Sequence, residues 1–238
     1  MSSQRLPATG TDQAVPGTRP RIVELSHVIR HGMVTYPGLP GPEICDHLSR
    51  SDSRQRYAPG TEFQIGRISL VANTGTYLDA PFHRFADGAD LACVPLSRVA
   101  DVEGVLIDAA ADGPAVPPAA FAGRDVAGRA VLIRTGWDRH WGTAAYGTAG
   151  HPFLSAEAAT CLAEQDPAVV GIDSVNVDDM ADLTRPAHTA LLAAGIPIVE
   201  HMRGLDQLSA DGFRFHAVPV AVAGMGTFPV RAYGVIVR

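Results

Sequence analysis

Asp79, Pro81 and His83 are spaced two residues apart in the stretch Asn73-Thr-Gly-Thr-Tyr-Leu-Asp-Ala-Pro-Phe-His-Arg-Phe85. A carboxylate beside an imidazole can move a proton or grip a cation, and Pro and Gly interrupt strand pairing where such side chains can converge. The same residues also describe a tight turn whose Asp and Thr satisfy the backbone, with His83 at the surface; spacing alone leaves both readings open. A second cluster, from Asp182 to His201, contains His188 and Glu200. Helical rise carries the chain about 10 Å from His188 to Gly195, and a returning strand covers about 13–16 Å to Glu200. His188 and Glu200 can therefore meet at one rim of a sheet, where α/β ligand sites lie. The competing reading is a histidine near a helix cap and a glutamate closing a buried strand.

The elements that must position these groups are legible in outline. Residues 1–20, rich in Ser, Thr, Gly and Pro, read as a flexible N-terminal arm, and 21–238 as one domain. Apolar runs at Arg21–Leu25, Gly104–Ala109, Ala130–Arg134, Ala168–Asp173, Ile196–Glu200, Phe215–Val222 and Ala232–Val237 predict strands. Glu62–Ala72 alternates around Phe63, Ile65, Ile68 and Leu70, which predicts a strand with one buried face. Ser155 can cap a helix over Ala156–Glu164, and Pro186 can open one ending at Gly195. Buried strands interleaved with a few helices indicate an α/β class, and consecutive strands near both ends predict a second, antiparallel layer. The Pro/Gly stretch Tyr36–Pro42 reads as a loop that carries side chains to a site. Gly224–Arg231, too irregular for a central strand, reads as a pocket wall with Arg231 as an anion anchor or a structural ion pair.

Composition narrows the function. With 46% hydrophobic and 18% charged residues the 238-residue chain has material for a sizeable core. Nineteen basic against 25 acidic groups give a net charge of −6, with no basic run to track a phosphate backbone, so nucleic acid and anionic membrane are excluded as expected partners. Three scattered cysteines, no secretory h-region and no membrane-length apolar run lead to the expectation of a soluble, cytoplasmic protein. No G-x-G-x-x-G or P-loop follows a strand, so no nucleotide cofactor is expected.

The two clusters resemble the cyclase-like metal hydrolase family that includes bacterial kynurenine formamidase and isatin hydrolase, whose hallmark reads H-x-G-T-H-x-D-x-P-x-H. Leu25-Ser-His27, Tyr36-Pro-Gly38, Gly171-Ile-Asp173 ahead of Asp178, and the His188–Glu200 pair followed by Leu205 extend the resemblance over most of the domain. It implies a three-layer β/β/α, swivelling-domain-like fold with a mixed sheet, assembled as a homodimer or homotetramer. Where the family has its first two metal-ligand histidines, this chain has Asn73 and Tyr77, so it resembles a divergent member. Asp79, His188 and Glu200 match the ligands of a second metal, and His83 the general acid/base. One imidazole and two carboxylates suit a single Zn²⁺ or Mn²⁺. An amide and a phenol are poor substitutes for imidazole, so Asn73 and Tyr77 are not expected to rebuild the lost site.

The resulting expectation is a hydrolase of an amide, formamide or lactam C–N bond in a small, aromatic substrate, arylformamidase-like. In it Asp79, His188 and Glu200 hold the metal and His83 moves the proton. Tyr77 and Asn73 donate to the developing oxyanion, and Asn73, Thr76 and Arg231 contact substrate. The alternatives are a metal-independent cyclase or dehydratase working through Tyr77, Asp79 and His83, and a non-catalytic small-molecule-binding protein. Of the other histidines, His201 is expected on the opposite strand face from Glu200, in the core or an interface. His27 and His216 could line the pocket, and His31, His47, His140 and His151 read as loop residues.

Overall fold

A computed structural model describes residues 20–236; the 1–20 arm lies, but for Pro20, outside them. The fold is a single α/β domain built on one nine-stranded mixed sheet. From one edge to the other its strands are β1 (Arg21–Glu24), β13 (Tyr233–Ile236), β11 (Phe213–His216), β5 (Val102–Asp108), β7 (Ala130–Arg134), β9 (Val169–Ile172), β10 (Ile198–Glu200), β4 (Tyr77–Asp79) and β12 (Thr227–Pro229). The central strands β5, β7, β9 and β10 run parallel to one another, and all the remaining pairings are antiparallel. Parallel strands are covered on both faces, hence the unbroken apolar runs Ala130–Ile133 and Val169–Ile172.

Alternation along each strand splits the core in two. Ala130 and Leu132 of β7 join one apolar cluster, while Val131 and Ile133 join another. The second cluster is closed by α3 (Ala156–Glu164) and α4 (Pro186–Ala193), through Ala158, Leu162, Leu191 and Leu192. The first gathers Val23 of β1 and Phe213 and Phe215 of β11 together with Leu78 of β4 and Val199 of β10. Residues from both ends of the sheet thus share one core, which requires the sheet to curl on itself. The second β layer expected from the sequence is the antiparallel end of this curled sheet. The short α1 (Arg50–Ser53) and α2 (Leu96–Val99) and a two-stranded pairing of β6 (Ala115–Val116) with β8 (Phe153–Leu154) complete the domain.

Ser155 caps α3, its hydroxyl accepting from the Ala158 N–H, and Pro186 occupies the first turn of α4. Two expectations are corrected. Glu62–Ala72 yields only β3 (Ile65–Ser69), paired with β2 (Glu43–Leu48) in a separate ribbon with no buried face; Phe63, Ile65 and Ile68 are about half exposed. The Phe215–Val222 run is strand only as far as His216, and Gly224–Arg231 contains the edge strand β12, compatible with Pro229 because an edge strand leaves one side unpaired. No helix among the described residues is long and apolar enough to cross a membrane.

Candidate active site

Strand register assembles the site. Tyr77 and Asp79, two apart on β4, project from one face; β10 sets Glu200 directly opposite Tyr77, and β12 sets Thr227 opposite Asp79. The Tyr77 hydroxyl donates to Glu200 Oε2 at 2.7 Å, and the Thr227 hydroxyl donates to Asp79 Oδ1. The chain leaves β4 through Ala80 into the single turn Pro81–His83, where His83 Nδ1 lies 2.7 Å from Thr227 Oγ1. With its proton given to Asp79, Thr227 accepts from His83 Nδ1–H, so the ring is held with Nε2 free to take a proton. Gly226 is needed for this closeness, since a Cβ there would overlap the His83 backbone.

His188 enters from the first turn of α4. Asp178 accepts from the Ala187 and His188 backbone N–H groups and, at 2.6 Å, from His188 Nδ1–H, so one carboxylate caps the helix and fixes the ring. His188 Nε2 then faces Asp79 Oδ2 at 3.7 Å and Glu200 Oε1 at 3.8 Å. Glu200 Oε1 also accepts from the Val177 N–H at 2.6 Å. Tyr77, His83, His188 and Glu200 line a cavity of about 420 Å³ together with Tyr36, Pro37, Gly38 and Leu39 and with Asn73, Asn176, Arg84 and Arg185.

Burial would push Asp79 up, but His83, His188 and Thr227 outweigh it and hold its carboxyl below the ordinary range. Burial pushes Glu200 up to about 7 against the pull of His188, with Asp79 adding to the rise. Burial alone would lower His188, yet its bonds to Asp178 and Asp79 and the charge of Glu200 push it up to about 10. The site is thus a nest of carboxylates in want of positive charge.

Asp79 Oδ2 carries this want most openly, being buried with no hydrogen-bond partner. Its 3.7 Å separation from His188 Nε2 is too long for a hydrogen bond. It approaches the spacing of about 3.4 Å between two atoms that share a tetrahedral ion at bonds of about 2.1 Å. Asp79, His83 and His188 each offer a ligand atom within 4.8 Å of the others. The residues present therefore fit a divalent cation, with Asp79 and His188 common to the set expected from sequence and the set the geometry gathers.

Other expectations need correction. Tyr77 lines the cavity but is otherwise buried, its hydroxyl donates to Glu200, and burial holds its phenol well above the ordinary range, so in this arrangement its proton is engaged by the carboxylate. Thr76 lies under the site, its hydroxyl donating to the His201 carbonyl and accepting from the His27 N–H, and is absent from the cavity wall. Arg231 pairs with Glu24 at 2.8 Å in an exposed setting, away from the cavity, so the ion-pair reading holds and the anion-anchor reading falls. His201 is buried as expected, but it backs the site: its Nδ1 lies 2.9 Å from the Tyr146 hydroxyl and its Nε2 3.2 Å from that of Tyr77. His151 is buried too, accepting from the Met180 N–H. His27 stacks on Trp141 and His216 on Tyr233, neither lining the cavity. Sequence reasoning missed Thr227, Asn176, Arg84 and Arg185 as site residues and gave Asp178 no role; Arg84 and Arg185 could have been suspected from standing beside His83 and near His188.

Several solved structures share this fold. Isatin hydrolase A from Labrenzia aggregata is 25% identical, with a TM-score of 0.78 over 92% of this chain and 94% of that one. Isatin hydrolase A from Ralstonia solanacearum is 23% identical, with a TM-score of 0.78 over 92% of each chain. A protein described as a predicted metal-dependent hydrolase from Bacillus stearothermophilus is 23% identical, with a TM-score of 0.73 over 92% and 99%. The family model described as "Putative cyclase" matches residues 23–179, a span that takes in the Asn73–His83 segment and Asp178. By that match over more than half its length, the chain belongs to the cyclase family.

Proposed function

We propose that this protein hydrolyses a C–N bond, an amide, formamide or lactam, in a small aromatic molecule, as a divergent metal-dependent member of its family. The observation that carries the reading is the unpartnered Asp79 Oδ2 facing His188 Nε2 beside a histidine whose Nε2 is free, with both histidines lining a cavity sized for a small molecule. Asp79, His188 and Glu200 would hold one Zn²⁺ or Mn²⁺. When bound, such an ion polarises a carbonyl and acidifies water. His83 takes the proton of the attacking water at Nε2 and returns it to the leaving nitrogen, while Thr227 and Asp79 keep the ring in the tautomer this needs. Asp178 orients His188, and Tyr77 holds Glu200 in place. Asn176 is buried at the cavity wall, its Oδ1 accepting from the Asp178 N–H at 2.8 Å; its amide N–H groups are donors for the developing oxyanion.

A homodimer or homotetramer in the cytoplasm is part of the same proposal, supported by the half-exposed Ile44, Ile65 and Ile68 of the β2–β3 ribbon. The deciding experiment is turnover of a panel of arylformamides and aryl lactams. Activity that a chelator abolishes and Zn²⁺ or Mn²⁺ restores is expected, and no turnover by metal-loaded protein would sink the reading.

A further inference from the structure

The mouth of the cavity carries two guanidinium groups that the proton and metal chemistry leaves unused. Arg84 directly follows His83, and Arg185 stands three residues before His188, so each brings a positive charge on the segment that supplies a site histidine. Both line the cavity with Tyr36 and Leu39. Arg84 Nε reaches Thr189 Oγ1 at 3.4 Å, and one Arg185 terminal nitrogen donates to the Asp179 carbonyl at 3.1 Å. Among the described residues neither forms an ion pair with a carboxylate. Arg185 is also held at φ +53, a left-handed conformation that non-glycine residues seldom adopt.

The same cavity is lined by His83, His188 and Glu200, so the arginines share it with the groups of the candidate active site. A carboxylate entering this cavity is attracted to the two arginines, whose planar guanidinium forks match its two oxygens. A neutral ligand gains nothing from either. We infer that Arg84 and Arg185 select a small substrate bearing a carboxylate remote from the scissile C–N bond, and that their grip on it leaves that bond to His83 in the same cavity. The reaction part of this inference rests on the hydrolase reading; the binding part does not.

The test compares 4-formamidobenzoate with its neutral counterpart 4-formamidobenzamide, two molecules of similar size that differ in charge. With metal-loaded protein the carboxylate is expected to have at least a tenfold higher kcat/KM, carried by KM. This preference shrinks as NaCl rises and falls within about threefold in the Arg84→Gln/Arg185→Gln double variant. Equal kcat/KM in the wild type, or a preference that survives the double substitution, overturns the inference. If neither compound turns over, the hydrolase reading falls, and calorimetry on chelator-treated, dialysed protein decides the inference alone. Tighter binding of the carboxylate that the double variant loses sustains it; equal binding of the two, or binding of neither, overturns it.

Discussion

His83 donates its Nδ1 proton to Thr227, whose own proton goes to Asp79, and this order of donors leaves Nε2 as the nitrogen able to accept a proton from the cavity. His83→Ala is expected to lower kcat by about 10²–10⁴-fold. The same variant should keep its metal, because Asp79, His188 and Glu200 remain; metal analysis of the purified variant makes the check, and loss of the ion would reassign His83 as the third ligand. Tyr77 presents the opposite case. Its hydroxyl donates to Glu200 and lies within hydrogen-bond reach of His201 Nε2, so Tyr77→Phe strips a bond from a buried carboxylate and leaves that one ring nitrogen without a partner. A loss of about 1–3 kcal/mol in chemical unfolding is expected. Full stability in Tyr77→Phe would show that the buried pair contributes nothing.

At the level of elements, α4 depends on a residue that precedes it by several positions. Asp178 satisfies two of the N–H groups that a helix start leaves open and fixes the His188 ring, so helix capping and ligand orientation share one carboxylate. Asp178→Ala is expected to weaken metal binding by about 10–100-fold and to destabilise the fold by about 2 kcal/mol. Titration with Zn²⁺ alongside urea melts separates the two effects, and unchanged metal affinity would refute the orienting role. The approach to β12 makes a comparable demand on the other side of the site, where Gly226 abuts the backbone of His83. Gly226→Ala forces the Pro81–His83 turn outward, and its kcat should fall toward that of His83→Ala.

For the whole molecule, two imidazoles, His27 half-buried and His201 buried, set one part of the response to acid. Burial lowers His27 to about 3, with Arg203 adding to it, and burial lowers His201 to about 3, with His27 adding to it. A histidine whose folded value is depressed stabilises the native state above its unfolded value of about 6.5 and loses that contribution as pH falls toward 3. His188 adds nothing in this window, since with a folded value of about 10 it is charged in both states below 6.5. In the metal-free protein each of these two histidines should withdraw about 1–2 kcal/mol by pH 5, a loss offset in part by Glu200 and Asp173, whose carboxyls burial raises to about 7 and about 6 and which stabilise the fold as they take up protons. Urea melts at pH 8, 6.5 and 5 make the measurement. His27→Asn should lose stability at every pH because its stacking on Trp141 goes, yet show a shallower acid dependence. An acid slope identical in the two proteins would refute the linkage.

What the sequence determined by itself was local. Ser155 and Pro186 marked helix starts because caps act within one turn, the apolar run of β7 marked a strand buried on both faces, and the D-x-P-x-H spacing placed Asp79 and His83 near each other. The meeting of His188 and Glu200 was also legible, because a helix and the strand that returns from it have fixed rises per residue. Tertiary structure alone decided the rest, since it depends on which strands become neighbours. Thr227 reaches Asp79 across 148 positions and Tyr77 reaches Glu200 across 123, through a register that no local pattern encodes. Tertiary packing likewise engaged the Tyr77 hydroxyl with Glu200, sent Arg231 to Glu24 and left the alternating residues of β3 without a buried face. Alternation states that a strand has two faces; only the curl of the sheet and the packing of α4 decide which of them is covered and which looks into a cavity.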